Sequence, residues 1–120
     1  MDVRHIDEVP AFITKDGSEI RELLAYRNSC IRQQSLAEAR LAVGAATTPH
    51  YHPQTEEIYY ILKGTGRMRW GETTRLVGPG DAIAIPPGVT HRIENTGTEM
   101  LLFLCCCAPA YENADTVLVE

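Results

Sequence analysis

The sequence contains no cluster of basic residues and no apolar run long enough to span a membrane. Its 120 residues include 11 Lys and Arg against 16 Asp and Glu, which gives a formal net charge of −5. Because nucleic-acid-binding proteins usually present a basic patch to phosphate groups, this pattern argues against a nucleic-acid partner. The longest apolar stretch, MLLFLCCCAPA at positions 100–110, is far shorter than the roughly 20 residues of a transmembrane helix. We therefore expect neither a nucleic-acid nor a membrane partner.

A signal peptide and a spaced disulfide framework are also missing. The first residues, MDVRHIDEVPAF, have no apolar core of the secretory kind. Cys105, Cys106 and Cys107 are adjacent and Cys30 stands alone, which fits neither a disulfide scaffold nor a zinc knuckle. We expect reduced thiols on an apolar strand of a cytoplasmic protein. Alternation along that strand turns inward either Cys106 or the pair Cys105 and Cys107, and the sequence leaves both open.

Short apolar runs bounded by Gly, Pro or Asn make up most of the chain. With 44% hydrophobic and 22% charged residues, the composition is that of an ordinary globular domain. Runs of this length, rich in Ile, Val, Tyr and Thr, predict β-strands. The segment 35–43 contains good helix formers, yet it is short and uncapped, so we predict a strand there too. The sequence therefore predicts one all-β domain over residues 1–120, a sandwich or barrel, with turns at residues 78–81 and 86–89.

Two histidines lie one residue apart just before a predicted strand, in PHYHPQTEEIYYILKG at positions 49–64. Residues i and i+2 of a strand point to the same face, so His50 and His52 project together. A turn at residues 53–56 brings the next strand alongside, with Glu57 facing the same interior. Buried polar groups are costly without partners, and a divalent cation would satisfy all three. His91, after the turn at 86–89, is the predicted fourth ligand.

Three neutral imidazoles and one carboxylate suit one divalent transition metal: Mn, Fe, Ni, Co, Cu or Zn. One or two coordination positions would remain for water or substrate. Glu56, beside Glu57, is the alternative carboxylate if the turn is one residue shorter, although strand parity favours Glu57. His5 is expected to be a solvated bystander near the N-terminus, and Asn95 is expected to close a strand end or a turn.

The same alternation divides the strand at 56–63 into two faces. Glu57, Tyr59 and Ile61 are predicted to face inward, whereas Ile58, Tyr60 and Leu62 face outward. If residues 64–65 form a two-residue hairpin loop, Ile61 lies opposite Met68 and Tyr59 lies opposite Trp70. Met68, Trp70 and Ile93, the last on the strand of His91, are predicted to form apolar pocket walls. Tyr59 is a candidate catalytic acid or hydrogen-bond donor, with a plain core role as the alternative.

Two spaced patterns resemble the motifs of a known superfamily. Gly44-x5-His50-x-His52-x4-Glu57-x6-Gly64 and Gly80-x5-Pro86-x-Gly88-x2-His91-x3-Asn95 are similar to the first and second motifs of the cupins, and every defining position is occupied. The chain resembles small single-domain bacterial-type cupins. The resemblance implies a jelly-roll β-barrel (a double-stranded β-helix), with motifs at 44–64 and 80–95 and with a metal held by His50, His52, Glu57 and His91.

Two classes of function follow from this resemblance. The first is a metal-dependent enzyme acting on a small organic molecule, as an oxygenase, lyase, cyclase or sugar isomerase. The second is a non-catalytic module that binds a metal and a small ligand. A pocket without inward Arg or Lys argues against a phosphorylated sugar, which would need a cationic clamp.

The N-terminal third predicts an assembly. The strand-like runs VRHI at 3–6 and EIRELL at 19–24 have no obvious hairpin partner of their own, and sheet edges need cover. We therefore predict a homodimer in which these segments join the partner's sheet, with Ile58, Tyr60 and Leu62 at the contact.

Overall fold

The protein is built from eleven β-strands in the part of the chain that the computed structural model describes, residues 1–119. Within that range the helical elements are two single-turn 3-10 helices, Ile6–Glu8 and Asn113–Asp115, and no helix is long and apolar enough to cross a membrane. The all-β prediction is confirmed. The strands are β1 Phe12–Ile13, β2 Glu19–Leu24, β3 Ser35–Leu41, β4 His50–Tyr51, β5 Glu56–Lys63, β6 Gly66–Trp70, β7 Thr73–Val77, β8 Ala82–Ile85, β9 His91–Asn95, β10 Leu101–Ala108 and β11 Val117–Leu118.

The strands form two antiparallel sheets of the predicted jelly-roll type. One sheet has the order β1-β2-β3-β10-β5-β8, and the other has the order β11-β4-β9-β6-β7. The helix-forming residues of 35–43 do form a strand, β3, because β3 pairs with β2 on one side and β10 on the other. Ladder hydrogen bonds and burial on both sides outweigh local helix propensity, which is worth only tenths of a kcal/mol per residue.

The core lies between the sheets and follows the period of two that strands impose. Along β5, Glu57, Tyr59 and Ile61 are buried and the intervening side chains are exposed, so the predicted faces of this strand are confirmed. On β10 the buried residues are those at odd positions, which turns Cys105 and Cys107 inward and leaves Cys106 half-buried on the outer face. All four cysteines are free, as expected.

The link between β5 and β6 differs from the prediction. Gly64 and Thr65 do not close a hairpin, because β5 pairs with β10 and β8, whereas β6 pairs with β7 and β9 in the other sheet. Gly64 has φ +85°, and a Cβ on it would lie 2.8 Å from the carbonyl oxygen of Met100. Only glycine allows the chain to cross between the sheets so close to this backbone.

The predicted pocket walls on β6 and β9 do not line the cavity beside the histidines, although Met68 and Trp70 do line a separate cavity with residues of β7 and β8. Met68 lies opposite Ile93 on the neighbouring strand, and both are buried in the core rather than in the cavity described below. Trp70 is 37% exposed, and its indole Nε1 donates a hydrogen bond to the carbonyl oxygen of Ala84. Asn95 does close a turn, as expected: its amide donates to Leu41 O and Glu99 O, and its oxygen accepts from the backbone of Gly97.

The N-terminal segment also departs from the prediction. The run VRHI is not a strand, because it leads into the 3-10 helix Ile6–Glu8, where His5 Nδ1 accepts from Asp7 N and the Glu8 carboxylate accepts from His5 N. The run EIRELL is β2, which pairs with β3 and β1 of its own chain. It therefore has a partner within the protomer, and the homodimer stays a prediction.

Candidate metal centre

Three buried histidines meet where β4 and β9 pair. His50 lies directly opposite His91 in the ladder, and His52 follows two residues later on the same face. The His50 and His91 rings are 4.3 Å apart between centroids, and His52 lies 5.3 and 5.6 Å from them. One nitrogen from each ring falls within 4.8 Å of the other two. Strand alternation and antiparallel register together bring the two predicted motifs to one point.

The other nitrogen of each ring is held by a backbone carbonyl. Nδ1 lies 2.7 Å from Thr48 O in His50 and 2.9 Å from Val89 O in His91. In His52 it lies 3.1 Å from Asp115 O. A carbonyl can only accept, so each Nδ1 carries a proton. In the neutral imidazole Nε2 then has the lone pair and is the nitrogen that can bind a metal. This is how proteins orient metal-binding histidines.

Glu57 completes the cluster from β5. Its Oε1 lies 3.3 Å from Nε2 of His52 and 3.7 Å from Nε2 of His91. Burial alone would raise the pKa of Glu57, but contacts with these two imidazoles outweigh burial and lower it to about 2. Glu56 is exposed on the opposite face of the strand, so Glu57 is the carboxylate that the fold presents to the histidines.

Two buried polar atoms of the cluster lack a hydrogen-bond partner within residues 1–119: Oε1 of Glu57 and Nε2 of His91. Unsatisfied buried polar atoms are rare and costly in native proteins. A divalent cation would satisfy both, together with Nε2 of His50 and His52. The three histidines lie close enough together to hold a metal ion, and Glu57 beside them adds a carboxylate, a donor that transition metals also accept. His5 lies at the surface near the N-terminus, away from them.

The histidines differ in their electrostatics. Burial lowers the pKa of His50, and the neighbouring His91 lowers it further. Burial would also lower the pKa of His52, but its contact with Glu57 raises it overall. Metal ligation requires neutral imidazoles, so protons compete with a metal more strongly at His52 than at His50.

A narrow cavity opens beside the cluster, and water-sized molecules can occupy only about 30 Å³ of it. Its apolar walls come from β2, β3 and β10, through Ile20, Ala37, Ala39, Phe103 and Cys105. Its polar groups include Asp16 and Glu22. Within residues 1–119 no Lys or Arg lines it, as the sequence predicted. Such a cavity favours a small ligand without strong negative charge.

Tyr59 lies between the cluster and the core. Its ring centroid is 4.7 Å from that of Phe103 and 5.9 Å from that of His91, and the residue lines the cavity. Burial raises the pKa of Tyr59 well above its usual value, so the phenol stays protonated. Its position is compatible with both predicted roles, packing and hydrogen-bond donation to a ligand.

Two groups at the cluster had no signal in the sequence. Asp16, in the loop between β1 and β2, places Oδ2 3.2 Å from Nε2 of His50. Near the C-terminus, Thr116 Oγ1 lies 3.4 Å from Nδ1 of His52, beside the Asp115 carbonyl. Both segments reach the cluster from distant parts of the sequence, and neither belongs to a recognisable motif.

Comparison with known proteins agrees with this geometry. Residues 37–107 match the Cupin domain family. An uncharacterised protein of Methanocaldococcus jannaschii is 47% identical over 95% of this chain and 91% of its own length. The oxalate-binding protein of Thermotoga maritima is 33% identical over 75% of this chain and 74% of its own. The solved polyketide cyclase RemF from Streptomyces resistomycificus covers all of this chain and 86% of its own, with 25% identity and a TM-score of 0.84.

Proposed function

Since this chain belongs to the Cupin domain family, we propose that it is a metal-dependent enzyme acting on a small organic molecule. The substrate is uncharged or weakly acidic, and the reaction is of the oxygenase, lyase or cyclase type. The metal ligands are His50, His52, Glu57 and His91. One observation carries the proposal: three fixed Nε2 atoms and Oε1 of Glu57 converge in a buried site where two of these four atoms lack a protein partner.

A divalent transition metal bound there would act as a Lewis acid on a substrate oxygen. The chain's own residues would orient the ligands, exclude water and donate a hydrogen bond or a proton. The Nδ1 contacts keep the imidazoles oriented, and the apolar walls keep water away from the substrate. Tyr59, held protonated by burial, is the candidate catalytic residue that donates a hydrogen bond or a proton to the substrate.

The lining of the cavity supports the substrate class. Recognition of a phosphate or a dicarboxylate normally uses Arg or Lys, and within residues 1–119 the cavity has none. Carboxylates of Asp16 and Glu57 would instead offset the charge of a bound divalent metal, so the site would attract an anion only weakly. This disfavours a phosphorylated-sugar isomerase, and it disfavours oxalate, which the Thermotoga maritima relative is named for binding. The likeness to the polyketide cyclase RemF supports a cyclase, and the small cavity favours a compact substrate.

The first experiment measures metal by elemental analysis in protein purified without added metal and again after reconstitution. We expect about one divalent transition metal per chain. Failure to bind Mn, Fe, Co, Ni, Cu or Zn above trace level in both preparations would overturn the metal centre.

The second experiment incubates the loaded protein with a panel of neutral and anionic small molecules, under air and under nitrogen. Turnover of neutral members is expected, and a requirement for air would identify an oxygenase. Binding without turnover across the panel would favour the alternative, a non-catalytic module, and turnover confined to phosphorylated sugars would contradict the proposed substrate class.

A further inference from the structure

Asp16 reaches the histidine cluster from the loop between β1 and β2. Its Oδ2 lies 3.2 Å from Nε2 of His50, and its side chain is only 13% exposed. Nδ1 of His50 is already bound to the carbonyl oxygen of Thr48, so the carboxylate faces the nitrogen that is free to bind a metal. The contact joins residues that are far apart in sequence and lies on the cavity side of the cluster.

The two oxygens of Asp16 have different surroundings. Oδ1 accepts three hydrogen bonds: from Thr14 Oγ1 at 2.7 Å, from Ser18 N at 2.9 Å and from Ser18 Oγ at 2.7 Å. Within residues 1–119, Oδ2 forms no hydrogen bond to this loop, and its polar contact is with His50. The local bonds therefore fix the side-chain rotamer and leave one oxygen directed at the cluster.

The loop that carries Asp16 is itself held on two sides. The backbone carbonyl oxygen of Asp16 accepts a hydrogen bond from Thr48 N at 2.8 Å, next to the start of β4. Nζ of Lys15 donates to Asn113 O and Thr116 O at 3.0 and 2.9 Å, in the C-terminal segment that also orients His52. The loop of Asp16 is thus bound to the same two segments that orient His50 and His52, one at Thr48 and one at residues 113–116. A metal ligand has to be held in place in this way.

We propose that Asp16 is a fifth protein ligand, which makes the site a three-histidine, two-carboxylate centre. The inference rests on the proposed metal centre. Adjacent ligand atoms around a six-coordinate metal with bonds of about 2.1 Å are about 3.0 Å apart, close to the 3.2 Å between Asp16 and His50. Two carboxylates would cancel the charge of a divalent ion, so the centre would attract anions weakly. They would also make the site more suitable for an oxygen-preferring ion such as Mn²⁺ than three histidines and one carboxylate would be.

The test uses Co²⁺ as the probe, with its affinity measured by chelator competition and its visible d–d spectrum recorded. Asp16→Ala and Asp16→Asn are compared with Glu22→Gln, which removes a cavity carboxylate that is bound to Arg27 at 2.9 Å. We expect both Asp16 variants to weaken Co²⁺ binding by at least about tenfold and to change the d–d spectrum. Glu22→Gln should alter neither. Asparagine keeps an oxygen for Thr14 and Ser18, so it preserves the loop if alanine does not.

The sign of the effect distinguishes ligation from a plain hydrogen bond. If Asp16 only occupied Nε2 of His50, its removal would free that nitrogen and tighten Co²⁺ binding. Tighter binding, or unchanged affinity with an unchanged spectrum, would overturn this inference while leaving the proposed centre intact. A wild-type protein that takes up no Co²⁺ would instead overturn the proposed metal centre, and this inference with it.

Discussion

Cys107 donates a hydrogen bond to Glu57, with 3.3 Å between Sγ and Oε2. The two residues are direct cross-strand partners on β10 and β5, and both are buried. Burial and the adjacent carboxylate raise the pKa of Cys107, so the group stays a thiol and keeps its proton. Glu57 is therefore held by one oxygen, and the other oxygen is left to face His52 and His91.

Removal of this thiol should weaken the metal site without removing a ligand. We expect Cys107→Ala to lower metal affinity by about tenfold, because the Glu57 carboxylate loses the donor that orients it. Cys107→Ser keeps a donor and should retain most of the affinity. Cys105→Ala, which changes a cavity thiol two residues away, is the matched control. Chelator competition with Co²⁺ measures all three, and equal affinity of the alanine and serine variants would contradict the role.

The predicted ligands can be separated from bystanders by metal occupancy. His52→Ala or His91→Ala should lower occupancy strongly, since each removes a buried Nε2 from the cluster, whereas His5→Ala changes an exposed residue. Glu57→Gln should lower metal occupancy much more than Glu56→Gln, because the Glu56 side chain points to solvent. Elemental analysis after reconstitution gives the comparison, and similar occupancy across the histidine variants would refute the assignment.

The four cysteines should react with an alkylating reagent in a fixed order. Cys30 is exposed and should react first, and half-buried Cys106 should follow. Cys105 and Cys107 should react last, because burial raises the pKa of both thiols and the thiolate is the nucleophile. Mass-spectrometric mapping over time measures the order, and denatured protein, in which all four should react alike, is the control. Early labelling of Cys107 in folded protein would disprove the cavity environment.

Gly64 and Gly44 provide a matched pair for the crossover between the sheets. Both have positive φ, +85° and +80°, but a Cβ at position 44 meets open space, whereas at position 64 it meets the backbone of Met100 and Leu101. Gly44→Ala should cost about 1 kcal/mol of unfolding free energy from strain alone. Gly64→Ala should cost at least about twice as much, since backbone cannot move aside. Urea denaturation of both variants checks this, and equal losses would count against the close approach.

Assembly can be tested on the outer face of β5. Ile58, Tyr60 and Leu62 are 48%, 42% and 41% exposed, and this apolar row is the predicted contact of a homodimer. Light scattering near micromolar concentration should give about twice the 13.3 kDa of one chain. Tyr60→Lys should shift the mass toward that of a monomer, whereas Leu76→Lys, at an exposed apolar residue on β7, should not. A wild-type protein of about 13 kDa would exclude the dimer.

Local patterns predicted the parts of the molecule that depend on strand alternation. Glu57, Tyr59 and Ile61 point inward because the side-chain period of a strand is two, and the spacing of His50 and His52 follows the same rule. His91 was predicted as a ligand from its place after the turn at 86–89 and from the second motif, but no local argument could place it beside His50. The sequence did not show which residues of the two motifs lie opposite each other. The structure shows this in the register of β4 and β9, where His50 pairs with His91.

The parts that failed depend on contacts between distant segments. A glycine followed by a threonine between two strands is compatible with a hairpin or with a crossover, and the carbonyl of Met100 that distinguishes them lies far along the chain. The error in the positions of Met68 and Trp70 followed from this one choice. Asp16 was missed because nothing in its local sequence distinguishes it from other loop aspartates, and only the fold brings it next to His50.

The supports of the histidine cluster extend from Asp16 to Thr116, and this fixes when the cluster can form during biosynthesis. The Asp115 carbonyl that holds His52 and the two carbonyls that anchor Lys15 are translated after both histidine motifs. A nascent chain can therefore contain both motifs and still lack these supports. Domains fold as units once their sequence is available. Metal binding at the proposed centre should therefore begin only after residue 116 has left the ribosome and this domain has folded.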